Sequence, residues 1–455
     1  MATAVRSMMI PATQSVTTLV VSWVLMVPLL VFASQWGFSF EHGTINTAVG
    51  SLTQSADDSL SMKLQSALVY FTCACLMLPF ARAIRANFYK DMLVSSLPVL
   101  AFLSIAWSQF PMVTLVHAVL LAANIAFAFY LLERFKTNDL LKVLMMVGMV
   151  AVIGGLFLIV LFPQYGVQSR SSVTSGAWQG IFPQKNISGF VLTNLLLPAF
   201  FVQFRSHYAK AFRILYIGMV LGMVAMSRSA GAWVTCAACI VFVLAMRGLV
   251  RMPHKEVAAI VFLFVGIVAI AGVCVYRNFD LLMYSIGKDP TLTGRTTIWS
   301  SLLASVMKRP MLGYGYTAFW GGLQGESANT AVLMHWPGMG YAENGVLELC
   351  LELGIIGVAL YLFVFLRAVK DAAHCFMRCP SPAVMWYISS LFFVTVSNIE
   401  AGKLLSTSDL GFMLSLVTFA GLRREAQLSR LPGRHQHHSE RMAPANNLPE
   451  RMARL

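Results

Sequence analysis

The sequence predicts an all-α integral membrane protein of about twelve transmembrane helices, interrupted by one large outward loop that carries short amphipathic helices. Three observations predict it. Of the 455 residues, 58% are hydrophobic and only 11% charged, against about 25% charged in a soluble domain, and mean hydropathy is +0.71. Apolar stretches of about 17–25 residues recur along the chain. Lys and Arg gather in alternate loops between them. The formal net charge of +14 then reads as anchoring against anionic lipid rather than as nucleic-acid binding.

In chain order the first span runs from about Val16 to Ala33. Arg6 precedes it, but it is too long for a signal peptide and lacks a small-x-small cleavage site. Spans follow at about 64–81, 91–107, 111–132, 142–162, 187–204, 211–226, 230–250, 256–276, 344–366, 383–399 and 405–422. Basic clusters occupy every second connection: Arg82, Arg85 and Lys90; Arg134, Lys136 and Lys142; Arg205, Lys210 and Arg213; Arg247, Arg251 and Lys255; Arg367, Lys370 and Arg378. The positive-inside rule places both termini in the cytoplasm and the stretch from Asp280 to Asn344 outside. Four regions result: 1–279 with nine spans, 280–343 as the large loop, 344–422 with three spans, and 423–455 as a disordered cytoplasmic tail.

Some familiar chemistries have no support. The chain has no Walker loop, no GxSxG elbow and no HExxH, and no repeat of about 20–50 residues. Cys236 and Cys239 lie in an apolar span, where cysteine behaves as a small hydrophobe. Cys375 and Cys379 beside His374 lack a second ligand pair, so no metal site is assigned.

The outward segments hold cations that topology does not need: Lys185, Arg228, Arg295, Lys308, Arg309 and Lys403. Cations gathered at an outer membrane face point to an anion presented by the lipid, phosphate above all. A lone cation there ordinarily snorkels to headgroups. Arg228 in Ser227-Arg228-Ser229, between two spans, and Arg295 in Gly294-Arg295-Thr296 are read instead as ligands.

Four outward elements share this chemistry. Gly180 to Gly189, containing Lys185 and Asn186, precedes the sixth span, and the Ser227–Ser229 turn joins the seventh and eighth. The run opening at Thr293-Gly294-Arg295 puts Ile298, Leu302 and Val306 on one face with Trp299 and Leu303, as expected of a helix lying on the bilayer. Arg309-Pro310 ends it. Gly313-Tyr314-Gly315-Tyr316 then forms a turn near the interface, with Phe319 and Trp320 as anchors. In the fourth element, Asn344 opens the tenth span, where Glu348 and Glu352 share a helix face. Such carboxylates are either functional or bonded to a neighbouring helix, and both readings stand.

These motifs, in this order and spacing over about 180–360, resemble the O-antigen ligase-like superfamily. It comprises lipopolysaccharide O-antigen ligases, Wzy-type polymerases and ExoQ-like exopolysaccharide polymerases, and the single long loop looks most like the ExoQ branch. Lys185-Asn186, Ser227-Arg228, Thr293 to Arg295 with Gly313 to Gly315, and Asn344 to Glu348 with Gly354 and Gly357 carry the likeness. The resemblance implies a multi-pass protein of the bacterial inner membrane with a periplasmic active face. It implies transfer of glycan from a polyprenyl diphosphate carrier to an acceptor sugar hydroxyl, with neither cofactor nor metal. The implied partners are the polyprenyl diphosphate-linked oligosaccharide, the acceptor glycan, membrane lipid, and chain-length regulator and flippase proteins.

A departing lipid diphosphate develops charge that cations in a sheltered site would stabilise. Arg228 and Arg295 are assigned as its ligands because a guanidinium binds phosphate oxygens in pairs and stays charged. Lys185 is an auxiliary cation, with Asn186, Tyr314, Tyr316, Asn344 and Glu348 as further substrate contacts. The acceptor hydroxyl needs a general base. Here the chain departs from the family, which usually has a histidine just before the asparagine at this helix mouth. Glu343 stands there instead, and the nearest histidine is His335, beyond Gly338–Gly340. Either Glu343 is the base, which is preferred, or His335 reaches back, or the activity or acceptor differs.

The alternatives are an O-antigen ligase acting on lipid A core, and a polysaccharide or solute transporter. Transporters carry ionisable groups near the bilayer midplane, whereas the unusual residues here sit at one face. His117 and Asn194, polar residues within spans, read as helix-packing contacts.

Overall fold

The computed structural model describes residues 16–33, 60–168, 176–253, 255–256, 295–333, 342, 344–398 and 404–430, except 205, 322–323 and 408. The side chains of 16–23, 60–66 and 295–297 also lie outside it. The expected ninth span, 256–276, therefore falls almost wholly outside the described residues, as do Glu343, His335, Lys403 and the side chain of Arg295.

The described chain is helical, with α1 Val16–Ala33, α2 Leu60–Met77, α3 Ala81–Lys90, α4 Met92–Leu103, α5 Pro111–Arg134, α6 Thr137–Leu161, α7 Lys185–Phe201, α8 His207–Met226 and α9 Ala230–Leu249. After the gap come α10 Arg295–Lys308, α11 Ser327–Leu333, α12 Gly345–Arg378, α13 Pro382–Ser397 and α14 Leu410–Ser429. Among the described residues six helices are long and apolar enough to cross a membrane, and two shorter apolar ones lie at Met92–Trp107 and Pro382–Ser397. Many apolar side chains face outward, among them Phe71, Val160, Val234 and Phe363. A bundle that turns hydrophobic surface outward as well as inward belongs in lipid.

Two helices outrun their expected ends. The tenth span was expected to stop near 366, but α12 continues to Arg378. Its extension is held by an Arg367–Asp91 ion pair made through two hydrogen bonds, by Arg423–Asp371 at 3.9 Å and by His374 Nε2 with Ser429 Oγ at 3.1 Å. The tail was expected to be disordered from 423, yet α14 runs to Ser429, where Ala426 and Ser429 are buried. Hydropathy ends at the membrane surface, whereas the helices end where these polar contacts do.

Helix α12 is broken at Gly354, whose φ of 64° and ψ of −165° are accessible to glycine alone. The break frees backbone groups, and the segment after α10 occupies it. Tyr314 N donates to Leu351 O at 2.8 Å and Gly315 N to Glu352 O at 2.9 Å. Ile355 N donates to Pro310 O at 2.8 Å and Ile356 N to Met311 O at 3.3 Å. A Cβ on Gly354 would meet the Met311 carbonyl carbon at 2.3 Å, and one on Gly313 would meet Leu351 O at 2.6 Å. In lipid, a helix can open only where protein satisfies the exposed backbone. Two motifs separate in sequence are thus one backbone-paired unit.

This corrects the expectations for the loop. The α10 face of Ile298, Leu302 and Val306 does not lie on a bilayer; it is buried against Tyr314, Phe319, Leu347 and Leu351, while Leu303 is exposed. Phe319 is fully buried rather than an interfacial anchor. Gly313–Tyr316 is a fixed insert, with Trp107 Nε1 donating to Leu312 O at 2.8 Å and the Thr114 hydroxyl to Tyr316 O at 3.0 Å.

Candidate functional site

Polar chemistry collects at two places, both at helix ends. The first surrounds Lys185 and Arg228. Ser227 closes α8, its hydroxyl donating to Val224 O at 2.6 Å, and Ser229 opens α9 by accepting from Ala232 N at 3.4 Å. Between the two caps Arg228 takes a left-handed conformation, φ 49°, uncommon for a side-chain-bearing residue. The guanidinium is exposed and lies against the 176–184 segment, since a Cβ on Gly176 would be 3.7 Å from one of its nitrogens. That segment is tied to α8 by Trp178 N donating to Met226 O at 2.9 Å.

Lys185 reaches this turn because α7 and α9 touch closely. A Cβ on Gly189 would sit 2.3 Å from the Ala232 Cβ, so glycine permits the approach. One turn earlier the Lys185 ammonium donates to Arg228 O at 3.2 Å. Lys185 stands on the first residue of α7, ahead of the apolar run, and Gln184 before it gives no side-chain cap. Burial, then the nearby Arg228 charge, lower its pKa below the ordinary lysine value. Helix amide groups, an ammonium and a guanidinium at one place form an anion-receptive surface. Asn186, the next residue of α7, is half-buried there.

The second place is a cavity of about 190 Å³ lined by His117, Thr317, Trp320, Glu348, Glu352 and Thr407 among others. Glu348 is buried and fully engaged: Trp320 Nε1 donates to Oε1 at 2.6 Å and Ala342 N to Oε2 at 2.7 Å. Glu352, one helical turn deeper, is buried too. Asn344 caps α12, its Oδ1 accepting from Val346 N at 3.1 Å and Leu347 N at 3.0 Å. The shared carboxylate face read from the i,i+4 spacing is thus present and turned into the bundle.

Other residues named from sequence are held by packing. Tyr314 donates to Ser305 O at 2.8 Å and Tyr316 to Leu405 O at 2.7 Å, both side chains buried. Two of the cations expected from sequence to face outward have partners: Lys308 pairs with Glu326, which also accepts from the Ser305 hydroxyl, and Arg309 stacks 5.1 Å from the Tyr314 ring centroid. Burial raises the Glu326 pKa, but hydrogen bonds from Lys308 and Ser305 and the Lys308 charge outweigh it, leaving the carboxyl below its usual value.

His117 is the residue that sequence reasoning undervalued. It does pack, with Nδ1 at 3.2 Å from Thr407 Oγ1, but it also lines the carboxylate cavity. Its partner is 290 residues away, so no local pattern marks the pairing; an in-span histidine near a helix start was the available signal. Asn194 is buried within α7, with neither amide atom hydrogen-bonded among the described residues.

Residues 215–362 match the family model described as O-antigen ligase. Over 338 residues the chain is 25% identical to the exopolysaccharide production protein ExoQ of Rhizobium meliloti (strain 1021), covering 70% of this chain and 74% of that protein. A chain of the solved structure titled "Structural coordination of polymerization and crosslinking by a peptidoglycan synthase complex" is 18% identical and covers 74% of this chain and 96% of that one. Its TM-score of 0.35 is too low to define a shared fold. The family region spans Arg228, the α10 motif and the α12 mouth, and with the ExoQ match it supports the resemblance to O-antigen ligase-like and ExoQ-like proteins carried by those motifs.

Proposed function

We propose that the protein is a periplasmic-face glycosyltransferase of the inner membrane, extending an exopolysaccharide by moving glycan from a polyprenyl diphosphate carrier to an acceptor sugar hydroxyl. The observation that carries this reading is the Lys185–Arg228 pair at the uncapped start of α7, within an O-antigen ligase-like chain. The leaving lipid diphosphate gathers negative charge as the glycosidic bond breaks. Arg228 binds its oxygens, Lys185 and the α7 amides add positive potential, and Arg295 completes the set. The acceptor oxygen forms the new bond to the anomeric carbon, and its proton passes to a base at the α12 mouth, Glu343 in preference to His335.

Polymerisation is preferred over ligation to lipid A core because the matching curated relative is an exopolysaccharide production protein. Transport is disfavoured because the ionisable groups gather at helix ends. The test is glycan length in cells whose only copy carries Arg228→Ala or Lys185→Ala. Losing a charge-assisted contact worth about 1.5–3 kcal/mol slows transfer roughly 10–100-fold. We expect polymer to vanish with Arg228→Ala and to fall about tenfold with Lys185→Ala, at unchanged protein level. Full-length polymer from Arg228→Ala would refute the assignment.

A further inference from the structure

The cavity beside Glu348 and Glu352 has a composition unlike that of the cation pair. It is lined by the N-terminal parts of α5 and α12 and by the 317–320 and 404–407 segments. Its volume of about 190 Å³ equals roughly six waters at about 30 Å³ each, the room a single pyranose ring needs. Two carboxyl groups line it and His117 is its one basic group among the described residues; both Glu348 oxygens accept N–H bonds, as an acceptor-only carboxylate does.

Thr317 adds an independent sign. It is held at φ 53°, a strained conformation for a β-branched residue. Its hydroxyl oxygen is buried without a hydrogen-bond partner among the described residues, yet the residue lines the cavity. Strain and an unsatisfied hydroxyl at one position mark a place where a ligand supplies the missing bond. Trp320, its Nε1 fixed on Glu348, offers an aromatic wall for the apolar face of a sugar ring.

We infer that this cavity is a subsite for one uncharged pyranose of the acceptor glycan, rejecting acidic sugars by its carboxylates. The inference rests on the glycosyl-transfer reading for the word acceptor; the binding itself does not. Thr317, His117 and Glu352 meet ring hydroxyls, and Glu348 positions Trp320. The diphosphate, an anion, goes to Lys185 and Arg228, so the two substrates are sorted by charge.

The test uses the full-length protein in lipid nanodiscs, with methyl β-D-glucopyranoside and methyl β-D-glucuronide as probes and saturation-transfer NMR as readout. The glucoside should bind at least tenfold more tightly than the glucuronide. Thr317→Val and His117→Ala should each weaken glucoside binding several-fold, and Glu352→Gln should narrow the gap between the probes. Equal binding of the two glycosides overturns the inference, as does no binding of either. Unchanged glucoside affinity in both Thr317→Val and His117→Ala, with normal elution of both proteins, overturns it too. Arg228→Ala should bind the glucoside like the wild type while losing transfer. If it transfers normally, the donor assignment fails while the sugar subsite stands.

Discussion

Arg228 is placed by an unusual backbone. Ser227 ends one helix and Ser229 begins the next, and the single residue between them must turn left-handed. That geometry turns the Arg228 carbonyl toward Lys185 and carries the guanidinium out toward Gly176. Asparagine or glycine at 228 would keep the turn but remove the charge. Arg228→Gly should therefore leave thermal stability within about 1 kcal/mol of wild type, while abolishing glycan extension. A large drop in melting temperature would instead make Arg228 a structural residue. On the opposite side of the bundle, Asp91 caps α4 and pairs with Arg367. Asp91→Ala leaves that arginine partly buried and unpaired, and should destabilise by about 3–5 kcal/mol, read as an earlier thermal transition in detergent.

Among the elements, α12 and the 310–315 insert behave as one. Gly354→Ala would bring a Cβ into the Met311 carbonyl and force an L-residue to φ 64°. It should cost about 1–3 kcal/mol in backbone strain alone, and proteolysis should open the loop first. The helix pair α10 and α11 is pinned by Lys308, Ser305 and Glu326. Because the Glu326 carboxyl titrates below its ordinary 4.5, the contact is fully present above that pH and is lost as pH falls through the lower folded-state value. Hydrogen-exchange protection over 295–333, taken relative to the intrinsic rate at each pH, should thus be flat from pH 7 to pH 5 and fall below about pH 4, beyond the change seen in a Glu326→Gln variant.

Legibility followed the range of the interactions. The Ser-Arg-Ser turn, the Lys185 position and the Glu348–Glu352 face are set by neighbours within a helical turn or two, and the motifs show them directly. The burial of Tyr314, Tyr316 and Phe319 was not legible. Aromatic residues in an outward loop have the composition of interfacial anchors, and only the opening of α12 at Gly354 explains why they are drawn inside. His117 packs on Thr407 as an in-span polar residue was expected to, but its place in one cavity with Glu352 was not legible, since the two lie far apart in the chain.

For the whole molecule, alternation of helix direction brings the starts of α5, α7, α9, α12 and α14 to one end of the bundle. The cation pair and the carboxylate cavity are both built from those starts. Charged groups at the other end, such as Arg367 with Asp91 and Arg424 with Glu133, hold helices together. On the reading proposed here, the anionic donor and the hydroxyl-rich acceptor have separate receptive surfaces at one end of the bundle. The most direct test of this account is a reconstituted reaction. The purified chain, in vesicles, is given a polyprenyl diphosphate-linked repeat unit, and released polyprenyl diphosphate is measured alongside glycan length. The account predicts release that rises in step with chain extension, and neither from Arg228→Ala. Extension by Arg228→Ala at the wild-type rate, or none from the wild-type protein with its proper repeat unit, would contradict it.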